Sequence, residues 1–332
     1  MIVLVSEKPA HTRAIGPAAA RKWAGHEIFA LHTLYFAMLA FQYPRGRSWK
    51  DFPLTDFARY SIRADAPWSI YRIDAEGGAQ RLDAVDGRAV AVKLLSEADE
   101  IVCAAEADPA GVAAYRAFLS CLIGYERATV ERPAVFLTDY SAAAVDAAFE
   151  NLQSTEGETF RERLDYGETK RYFDYNFNVN SLAILGKTLT VVSDSAASVP
   201  MSKYALQTLY FLRRSVPMTE TELLSRMSAW EGTGRYPGQR ELGSPASRAQ
   251  ILDDLRANEL TSMSAGEGRS RIISLTGLGE LFLEALHPDC EDPDLPFRID
   301  RWCSDGLVKS GASINTYMRT FFGKQKRYLD SV

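Results

Sequence analysis

The segment at residues 100–122 places a hydrophobic run directly before a turn that carries two carboxylates and opens a helix. Residues 100–105, Glu-Ile-Val-Cys-Ala-Ala, are typical of a buried strand, and residues 112–122 have helical spacing. Glu106 and Asp108 occupy the turn and would lie at the C-terminal end of the strand, where open α/β sheets place their ligand sites. The pattern therefore predicts an α/β fold with a ligand at the edge of its sheet.

The N-terminus has a similar arrangement. Residues 2–5, Ile-Val-Leu-Val, predict a strand, and Ser6-Glu7-Lys8-Pro9 predicts its turn into a helix. Glu7, Glu106 and Asp108 would then meet at two strand tips and form a hard-oxygen set that suits Mg²⁺. The alternative is that these acids are only helix N-caps or partners of helix dipoles.

Composition limits the class of protein. The 332-residue chain is long enough for two domains, and its net charge of −5 means that any nucleic-acid surface must be local. Its four cysteines form no CxxC motif, which favours reduced thiols in a cytoplasmic protein and argues against zinc. The longest apolar stretch, residues 28–41, is interrupted by His32 and Thr33 and is too short to span a bilayer. We therefore expect a cytoplasmic protein that does not enter a membrane.

The chain divides into two parts by pattern. Residues 1–153 alternate strand and helix patterns, which predicts a mostly parallel, Rossmann-like sheet with helices on its faces. The predicted strands cover residues 2–6, 27–31, 99–105 and 133–137, and the predicted helices cover residues 9–23, 89–97, 110–123 and 141–153. Residues 154–332 predict a mainly helical domain, with helical spacing at residues 158–187 and 198–214.

The second part contains its own pattern. Thr219-x-x-Glu222 predicts a capping box at the start of a helix. Residues 244–286 predict a helix, a hairpin and a helix, which is the layout of a winged-helix element whose helices can face DNA. The alternative is a packing module without a DNA-binding role.

Two segments of the first part resemble a known family. Ser6-Glu-Lys-Pro-Ala10 resembles the opening strand and helix of the TOPRIM domain of type IA DNA topoisomerases, and Glu106-x-Asp108-x-x-Gly111 is similar to that domain's Asp-x-Asp-x-Glu-Gly motif. The resemblance implies a TOPRIM fold for residues 1–153, with Mg²⁺ held by Glu7, Glu106 and Asp108. It also implies catalytic roles for Glu7 and Lys8, with Lys8 approaching the scissile phosphate as a point charge.

The second motif departs from the family pattern at three positions. Glu106 replaces an Asp, Pro109 stands where an Arg is expected, and Ala110 replaces the third acid. The loss of one carboxylate at Ala110 should weaken Mg²⁺ binding, since the charge of the ligands helps to set affinity.

The second part resembles the domain that forms the base of the DNA gate in the same enzymes. Gly243-Ser-Pro-Ala-Ser-Arg-Ala249 closely resembles the motif Gly-Thr-Pro-Ala-Thr-Arg-Ala, and Gln207-Thr208 is similar to the end of the Gly-Arg-Val-Gln-Thr stretch, with Ala205 in place of the Arg. The resemblance implies that residues 154–332 form a gate-base-like domain that binds single-stranded DNA. The expected DNA contacts are Lys8, Lys170, Arg171, Gln207, Thr208, Ser247, Arg248 and Arg319.

The family's nucleophile motif is missing from its expected place. Residues 209–242 should contain Tyr-x-Arg-Thr-Asp-Ser and do not, so the arch that carries this motif is expected to be deleted. Tyr317-Met-Arg319-Thr320 resembles the motif near the C-terminus but lacks the Asp-Ser that should follow. Tyr317 is therefore either a catalytic nucleophile or part of a helix face.

Together these features predict a reduced type IA topoisomerase-like protein that binds single-stranded DNA in a cleft between its two domains, with Mg²⁺-dependent phosphodiester chemistry. Strand passage would require a protein partner that supplies the missing arch or nucleophile. Three alternatives stay open: a non-catalytic single-stranded DNA-binding accessory protein of replication or mobile-element transfer, a TOPRIM nuclease or primase-like protein, and a winged-helix regulator that binds duplex DNA.

Overall fold

The structure is a computed structural model that describes residues 1–137, 139–193, 201–266 and 270–331. The chain divides into two compact units. Met1–Gln42 and Arg59–Glu168 form the α/β unit, whereas Tyr43–Ala58 and Thr169–Val332 form the helical unit.

Strands and helices alternate along most of the α/β unit. Its strands are β1 (Ile2–Ser6), β2 (Ile28–His32), β3 (Leu39–Phe41), β4 (Tyr60–Ile62), β5 (Ile70–Ile73), β6 (Ala79–Leu82), β7 (Glu100–Ala104), β8 (Pro133–Ala134) and β9 (Gln153–Ser154). Its helices are α1 (Pro9–Lys22), α2 (Gly87–Glu97), α3 (Pro109–Ile123), α4 (Tyr125–Ala128), α5 (Ala142–Glu150) and the first half of α6 (Glu158–Asn180). The strands and helices predicted from the pattern of residues 1–153 are all present, although the strand predicted at residues 133–137 is only two residues long and Thr138 lies outside the described residues.

The main sheet has a parallel centre. Among the described residues its seven strands follow the order β6-β5-β2-β1-β7-β8-β9. Strands β2, β1, β7 and β8 run parallel, and Ser6 at the end of β1 pairs with His32 on one side and Ala104 on the other. The outer strands β5, β6 and β9 are antiparallel to their neighbours. The predicted mostly parallel sheet is confirmed as a mixed sheet with antiparallel edges.

Helices cover both faces of this sheet, and the side chains of β1 alternate between two cores. Val3 and Val5 join the core with residues of α2 and α3, whereas Ile2 and Leu4 join the core with residues of α1 and α5. All four side chains are at most 3% exposed. A strand that is buried on both faces requires a continuous apolar run, which explains the sequence Ile-Val-Leu-Val at residues 2–5.

The α/β unit extends beyond the domain boundary that the sequence predicted after residue 153. It continues to Glu168 in the first half of α6. Phe160 and Leu164 of this half lie in the same core as α2 and α3, where the rings of Phe160 and Tyr115 are 6.2 Å apart. The helical periodicity of residues 158–187 predicted the helix but not the change of packing partners along it.

The segment Tyr43–Ala58 belongs to the helical unit, although the predicted first domain included it. Two asparagines of α6 hold its backbone through paired hydrogen bonds. The side-chain amide of Asn180 bonds the N–H and the carbonyl of Leu54, at 2.6 and 2.8 Å. The amide of Asn176 bonds those of Asp56 in the same way, at 2.8 and 2.9 Å. These buried amides satisfy backbone groups that would otherwise lack partners, and they fix the segment to α6.

The helical unit continues from α6 through a π-helical turn at Ser181–Leu185. Its further helices are α7 (Gly186–Ser193), α8 (Lys203–Arg214), α9 (Glu220–Ser228), α10 (Pro245–Ala257), α11 (Gly277–Glu284), α12 (Leu295–Asp305) and α13 (Leu307–Ser331), and its strands are β10 (Met218–Thr219), β11 (Thr261–Ala265) and β12 (Arg271–Leu275). The helix predicted at residues 198–214 begins at Lys203, and residues 198–200 lie outside the described part of the chain.

The helix, hairpin and helix predicted for residues 244–286 are present as α10, β11, β12 and α11. Within residues 201–266 and 270–331, the strands form a three-stranded antiparallel sheet in the order β10-β12-β11. The predicted capping box is confirmed, because Thr219 Oγ1 accepts from Glu222 N and Glu222 Oε2 accepts from Thr219 N. In the described parts of the chain, no helix has the length and apolar character needed to cross a membrane.

Candidate metal centre

Two neighbouring parallel strands carry the candidate site at their C-terminal ends. Glu7 follows β1 directly, and Glu106 lies two residues beyond the end of β7. Because Ser6 and Ala104 are paired in the sheet, both turns leave it at the same edge. The predicted convergence of these acids is therefore a consequence of the parallel register.

Glu7 is fully buried at the centre of the site. Its Oε1 accepts a hydrogen bond from the backbone N–H of Glu106 at 3.0 Å, whereas its Oε2 has no hydrogen-bond partner among the described residues. Burial, reinforced by the negative charges of Glu106 and Asp108, raises the pKa of Glu7 to about 7. One oxygen of this buried carboxylate is therefore available as a ligand atom.

Glu106 is held by two tyrosine hydroxyls. Tyr35 donates to Oε2 at 3.0 Å, and Tyr140 donates to Oε1 at 3.1 Å. Tyr35 and the preceding Leu34 have φ values of 53° and 45°, in the left-handed region that non-glycine residues rarely adopt. Such strain persists only where the surrounding structure over-determines it, and here it accompanies the hydrogen bond from Tyr35 to the Glu106 carboxylate.

His11 is the third member of the cluster, and the sequence analysis missed it. It lies one helical turn after Glu7 on α1 and is 3% exposed. Its Nε2 is 3.1 Å from Oε1 of Glu106, its Nδ1 is 3.9 Å from Oε2 of Glu7, and the ring of Tyr140 stacks on it with 4.6 Å between centroids. Burial, together with the charge of Lys8, lowers the pKa of His11, against the opposing effect of Glu106. The spacing of four residues from Glu7 on a predicted helix was the signal that could have found it.

Asp108 acts as the N-cap of α3. Its Oδ1 accepts from the N–H of Gly111 at 2.6 Å. A Cβ at Gly111 would lie 2.2 Å from Oε1 of Glu7, so the absence of a side chain there allows α3 to approach the buried carboxylate. The ligand atoms of Glu7, His11 and Glu106 lie within 4.8 Å of one another, and this group does not include Asp108. Asp108 therefore takes the N-cap role that the sequence analysis had considered for these acids.

Lys8 is exposed and is the N-cap residue of α1, next to the buried Glu7. A buried hydrogen-bond chain holds this turn against the sheet. His32 Nδ1 is 2.8 Å from the carbonyl of Ser69, which can only accept, so Nδ1 carries the proton. His32 Nε2 then accepts from the hydroxyl of Thr12 at 2.8 Å, and that hydroxyl accepts from Ser6 at 3.1 Å. The chain ties α1 to the ends of β1 and β2 and so fixes Glu7 and Lys8.

A cleft of about 950 Å³ adjoins the acids. Arg163 contributes positive charge to its lining, and its guanidinium lies 5.3 Å from the ring of Phe136. The residues that line the cleft are Glu106, Ala107, Asp108, Phe136, Leu137, Asp139, Tyr140, Ala144, Ala147, Ala148, Asn151, Gln153, Thr159 and Arg163. The cleft is large enough for a nucleotide-sized group next to the acids.

The predicted DNA contacts Lys170 and Arg171 lie beside a buried acid of the helical unit. Lys170 Nζ bonds both carboxylate oxygens of Asp174 at 2.8 Å, Lys203 pairs with the same carboxylate, and Arg171 is 3.9 Å from it. Burial alone would raise the pKa of Asp174, but the two lysines hold it well below its usual range. The charge of Lys170 is thus engaged within the unit.

Gln207 and Thr208 are buried in the helical unit. Gln207 donates to the carbonyl of Cys290 at 3.2 Å and accepts from the N–H of Asp292 at 2.8 Å, and Thr208 donates to the carbonyl of Tyr204 at 2.8 Å. The side-chain polar groups of Gln207 and Thr208 that were predicted to contact DNA are therefore engaged in hydrogen bonds within the unit.

Ser247 and Arg248 lie at the start of α10. Arg248 is 8% exposed, donates to the carbonyl of Gly243 at 3.0 Å and lies 3.0 Å from the carboxylate of Glu241. Ser247 is half-buried and donates to the carbonyl of Ser244 at 3.0 Å. Arg248 therefore supports the turn into α10, and Ser247 is the more accessible of the pair.

Tyr317 is a half-buried residue on one face of α13 in the helical unit. Its ring centroid lies 5.9 Å from that of Phe173 and 5.6 Å from that of Trp302, and its hydroxyl is buried. Desolvation raises the pKa of Tyr317 well above its usual value, which opposes a role as nucleophile. Arg319, two residues further along α13, is exposed.

No protein-family model and no curated protein matches the sequence. Among solved structures, the full-length topoisomerase I from Thermotoga maritima aligns with a TM-score of 0.40 and 13% identity, over 65% of this chain and 32% of that chain. The chain thus spans about a third of the length of that protein. We therefore infer function from the geometry of the site and not from these comparisons.

Proposed function

We propose that the protein is a reduced type IA topoisomerase-like protein that binds single-stranded DNA and engages a DNA phosphate through a divalent cation at the strand-tip site, which consists of Glu7, Lys8, His11, Glu106 and Asp108. The observation that carries the proposal is the convergence of Glu7, His11 and Glu106 at one edge of the parallel strands, where their ligand atoms lie within 4.8 Å of one another. The motifs around Glu7 and Asp108 that resemble a TOPRIM domain support the same assignment.

A divalent cation suits the charge of this site. Glu7, Glu106 and Asp108 bring three carboxylates to the strand tips, and an unscreened phosphate would be repelled by them. Glu7 Oε2 lacks a hydrogen-bond partner among the described residues, so a buried ligand oxygen is available. A bound cation would supply positive charge against the phosphate, and Glu7 and Glu106 would hold it.

Lys8 is the protein's own cation for the phosphate. It is exposed, whereas the neighbouring Glu7 is buried, so the turn after β1 directs one charge inward and the other to solvent. An exposed lysine beside a cation site adds a second positive charge for an anionic ligand. We assign Lys8 to phosphate binding on this basis.

The helical unit supports DNA binding through the order of its elements. The order α8, β10, α9, α10, β11, β12, α11 is compatible with a winged-helix element, and α10 carries the segment that resembles the gate-base motif. Ser247 and Arg319 are the predicted contacts of this unit that are not buried and are not engaged with an acid in the bonds described above. We assign DNA contact in the helical unit to these two.

The test of this proposal is the salt dependence of binding to a labelled single-stranded oligonucleotide, measured by fluorescence anisotropy. Removal of one phosphate-binding cation lowers the slope of log K against log salt by about 0.7 for a single strand. We expect this loss for Lys8→Ala and not for Lys22→Ala, which removes an exposed lysine at the other end of α1. Equal slopes in both variants, or tighter binding to a duplex of the same sequence, would contradict the assignment.

A second candidate function is a non-catalytic single-stranded DNA-binding accessory protein. Pro109 and Ala110 open α3 without the Arg and the acid of the resembling motif, and the hydroxyl of Tyr317 is buried. Incubation of the full chain with labelled oligonucleotide and Mg²⁺ or Mn²⁺ separates the two functions. Nicked or protein-linked product that Glu7→Gln abolishes supports the enzyme, whereas stable binding without product supports the accessory protein.

A further inference from the structure

We infer that the strand-tip site binds its cation through the imidazole of His11 as well as the carboxylates of Glu7 and Glu106, and that it takes a first-row transition cation such as Mn²⁺ in preference to Mg²⁺. The inference rests on the proposed function only for the presence of a cation at this site. It assigns a nitrogen ligand to a centre that the sequence predicts to contain oxygen ligands alone.

The geometry of the three side chains fits one ion. Two ligand atoms that share a cation at about 2.0–2.2 Å are at most about 4.4 Å apart. The ligand atoms of Glu7, His11 and Glu106 lie within 4.8 Å of one another, with 3.1 Å between His11 Nε2 and Glu106 Oε1. Small side-chain adjustments bring all three onto a common cation.

The unused polar atoms at the centre of the site point independently to a ligand. Glu7 is fully buried and His11 is 3% exposed, yet Glu7 Oε2 and both ring nitrogens of His11 have no hydrogen-bond partner among the described residues. Buried polar atoms without partners are costly, and an ion that accepts lone pairs from Glu7 Oε2 and from one imidazole nitrogen lowers this cost. An acidic cluster alone would not make this case; the unpartnered Oε2 of the fully buried Glu7 and the buried imidazole beside it do.

The surrounding residues orient the imidazole for this role. The ring of Tyr140 stacks on His11 with an interplanar angle of 30°, and the hydroxyl of the same tyrosine donates to Glu106. One side chain thus positions two of the three proposed ligands. Contacts to the ligand side chains, made by residues that do not touch the ion, hold the ligands of metal sites in place.

The nitrogen donor determines which cation the site prefers. Mg²⁺ is held by oxygen ligands and water, whereas an imidazole nitrogen is a ligand for first-row transition cations, among which Mn²⁺ tolerates the oxygen ligands of this site and binds most weakly. Ala110 offers no carboxylate at the position of the third acid in the resembling motif, and His11 is the third donor beside Glu7 and Glu106. The change from an acid to an imidazole exchanges one negative charge for a softer neutral ligand.

The test is pulsed electron paramagnetic resonance of Mn²⁺ bound to the full chain, which detects a directly coordinated ¹⁴N nucleus through echo modulation. We expect this modulation in the wild type and in His26→Gln, which replaces an exposed histidine outside the site, and its loss in His11→Gln. Calorimetric titration of the same proteins should show Mn²⁺ affinity falling at least about 10-fold in His11→Gln, with Mg²⁺ affinity changing less than about 3-fold.

The wild-type spectrum is decisive even if His11→Gln does not fold. Mn²⁺ bound without ¹⁴N modulation, Mn²⁺ not bound at all, or equal affinity for Mn²⁺ in the folded His11→Gln variant would each overturn the inference. The proposed function can fail separately. If the protein shows ¹⁴N-coupled Mn²⁺ but does not bind single-stranded DNA, the metal site is supported and the DNA-binding proposal is wrong.

Discussion

At the scale of single residues, Gly111 sets how closely the first turn of α3 approaches Glu7. A Cβ at this position would lie 2.2 Å from Glu7 Oε1 and 2.8 Å from the carbonyl oxygen of Glu106. Gly111→Ala should therefore displace the Glu7 carboxylate, and we expect affinity for a divalent cation to fall at least about 10-fold in calorimetric titration.

A glycine in an open helix is the matched control for this substitution. Gly311 lies in α13, where the nearest atom to an added Cβ is 3.7 Å away. Gly311→Ala should stabilise the helix by about 0.5–1 kcal/mol and leave cation affinity unchanged. Cation affinity that is equally unaffected in Gly111→Ala would show that Glu7 does not take part in the site.

His32 makes the stability of the protein depend on pH. Burial lowers the pKa of His32 from 6.5 to about 4. Between pH 6.5 and pH 4, His32 binds a proton in the unfolded chain but not in the folded chain. The contribution of the neutral, buried His32 to the free energy of unfolding is therefore lost as the pH falls. We expect the difference in free energy of unfolding between the wild type and His32→Asn to shrink by on the order of 3 kcal/mol from pH 7 to pH 4.

Urea unfolding at a series of pH values measures this difference. Glu7 contributes the opposite slope, because its pKa is raised from 4.5 to about 7 and the folded chain then binds the extra proton. Both proteins share the Glu7 contribution, so the subtraction isolates His32. A difference that does not change with pH would mean that His32 is charged or exposed in the folded protein.

The sequence predicted part of the site at this scale. Glu7 and Glu106 were predictable because each acid follows an apolar run that must form a buried strand. His11 was not predicted, because its spacing of four residues from Glu7 is a weak signal and its approach to Glu106, in the turn after β7, depends on the fold. The cap role of Asp108 was foreseen as an alternative, because local sequence favours both a cap and a ligand at a strand tip.

At the scale of elements, the strands and helices followed from periodicity, whereas the division of α6 did not. Phe160 and Leu164 pack in the α/β unit, and Asn176 and Asn180 bond the backbone of the segment Tyr43–Ala58 in the helical unit. Helical spacing records which face is apolar but not which neighbour covers it. A helix that changes partners midway therefore gives no boundary signal in the sequence.

The capping box of α9 is an element whose contribution can be measured. The hydroxyl of Thr219 accepts from the N–H of Glu222 at 3.2 Å, and loss of such a cap costs about 1 kcal/mol. We expect Thr219→Ala to lower the free energy of unfolding by this amount in urea titration. Thr221→Ala, at an exposed position in the same helix, should not lower it. Equal effects of the two substitutions would show that the box does not stabilise α9.

At the scale of the whole molecule, the negative net charge of the chain makes the proposed DNA binding dependent on cation binding. The net charge is −5, and three carboxylates converge where a phosphate is proposed to bind. A protein of this charge gains little from general attraction to nucleic acid, so the proposed binding depends on local positive charge, which we assign to Lys8 and a bound cation. A local nucleic-acid surface stays a prediction of the sequence, which did not reveal that Glu7 and Arg248 are buried, because burial depends on packing.

The most direct measurement is the effect of a divalent cation on single-stranded oligonucleotide affinity at constant ionic strength. We expect Mn²⁺ or Mg²⁺ to raise the affinity of the wild type at least about 10-fold, and that of Glu97→Gln, which alters an exposed acid at the end of α2, equally. In Glu7→Gln the cation should change the affinity less than about 2-fold. Wild-type affinity that is the same with and without the cation, or a cation effect that survives in Glu7→Gln, would contradict the account.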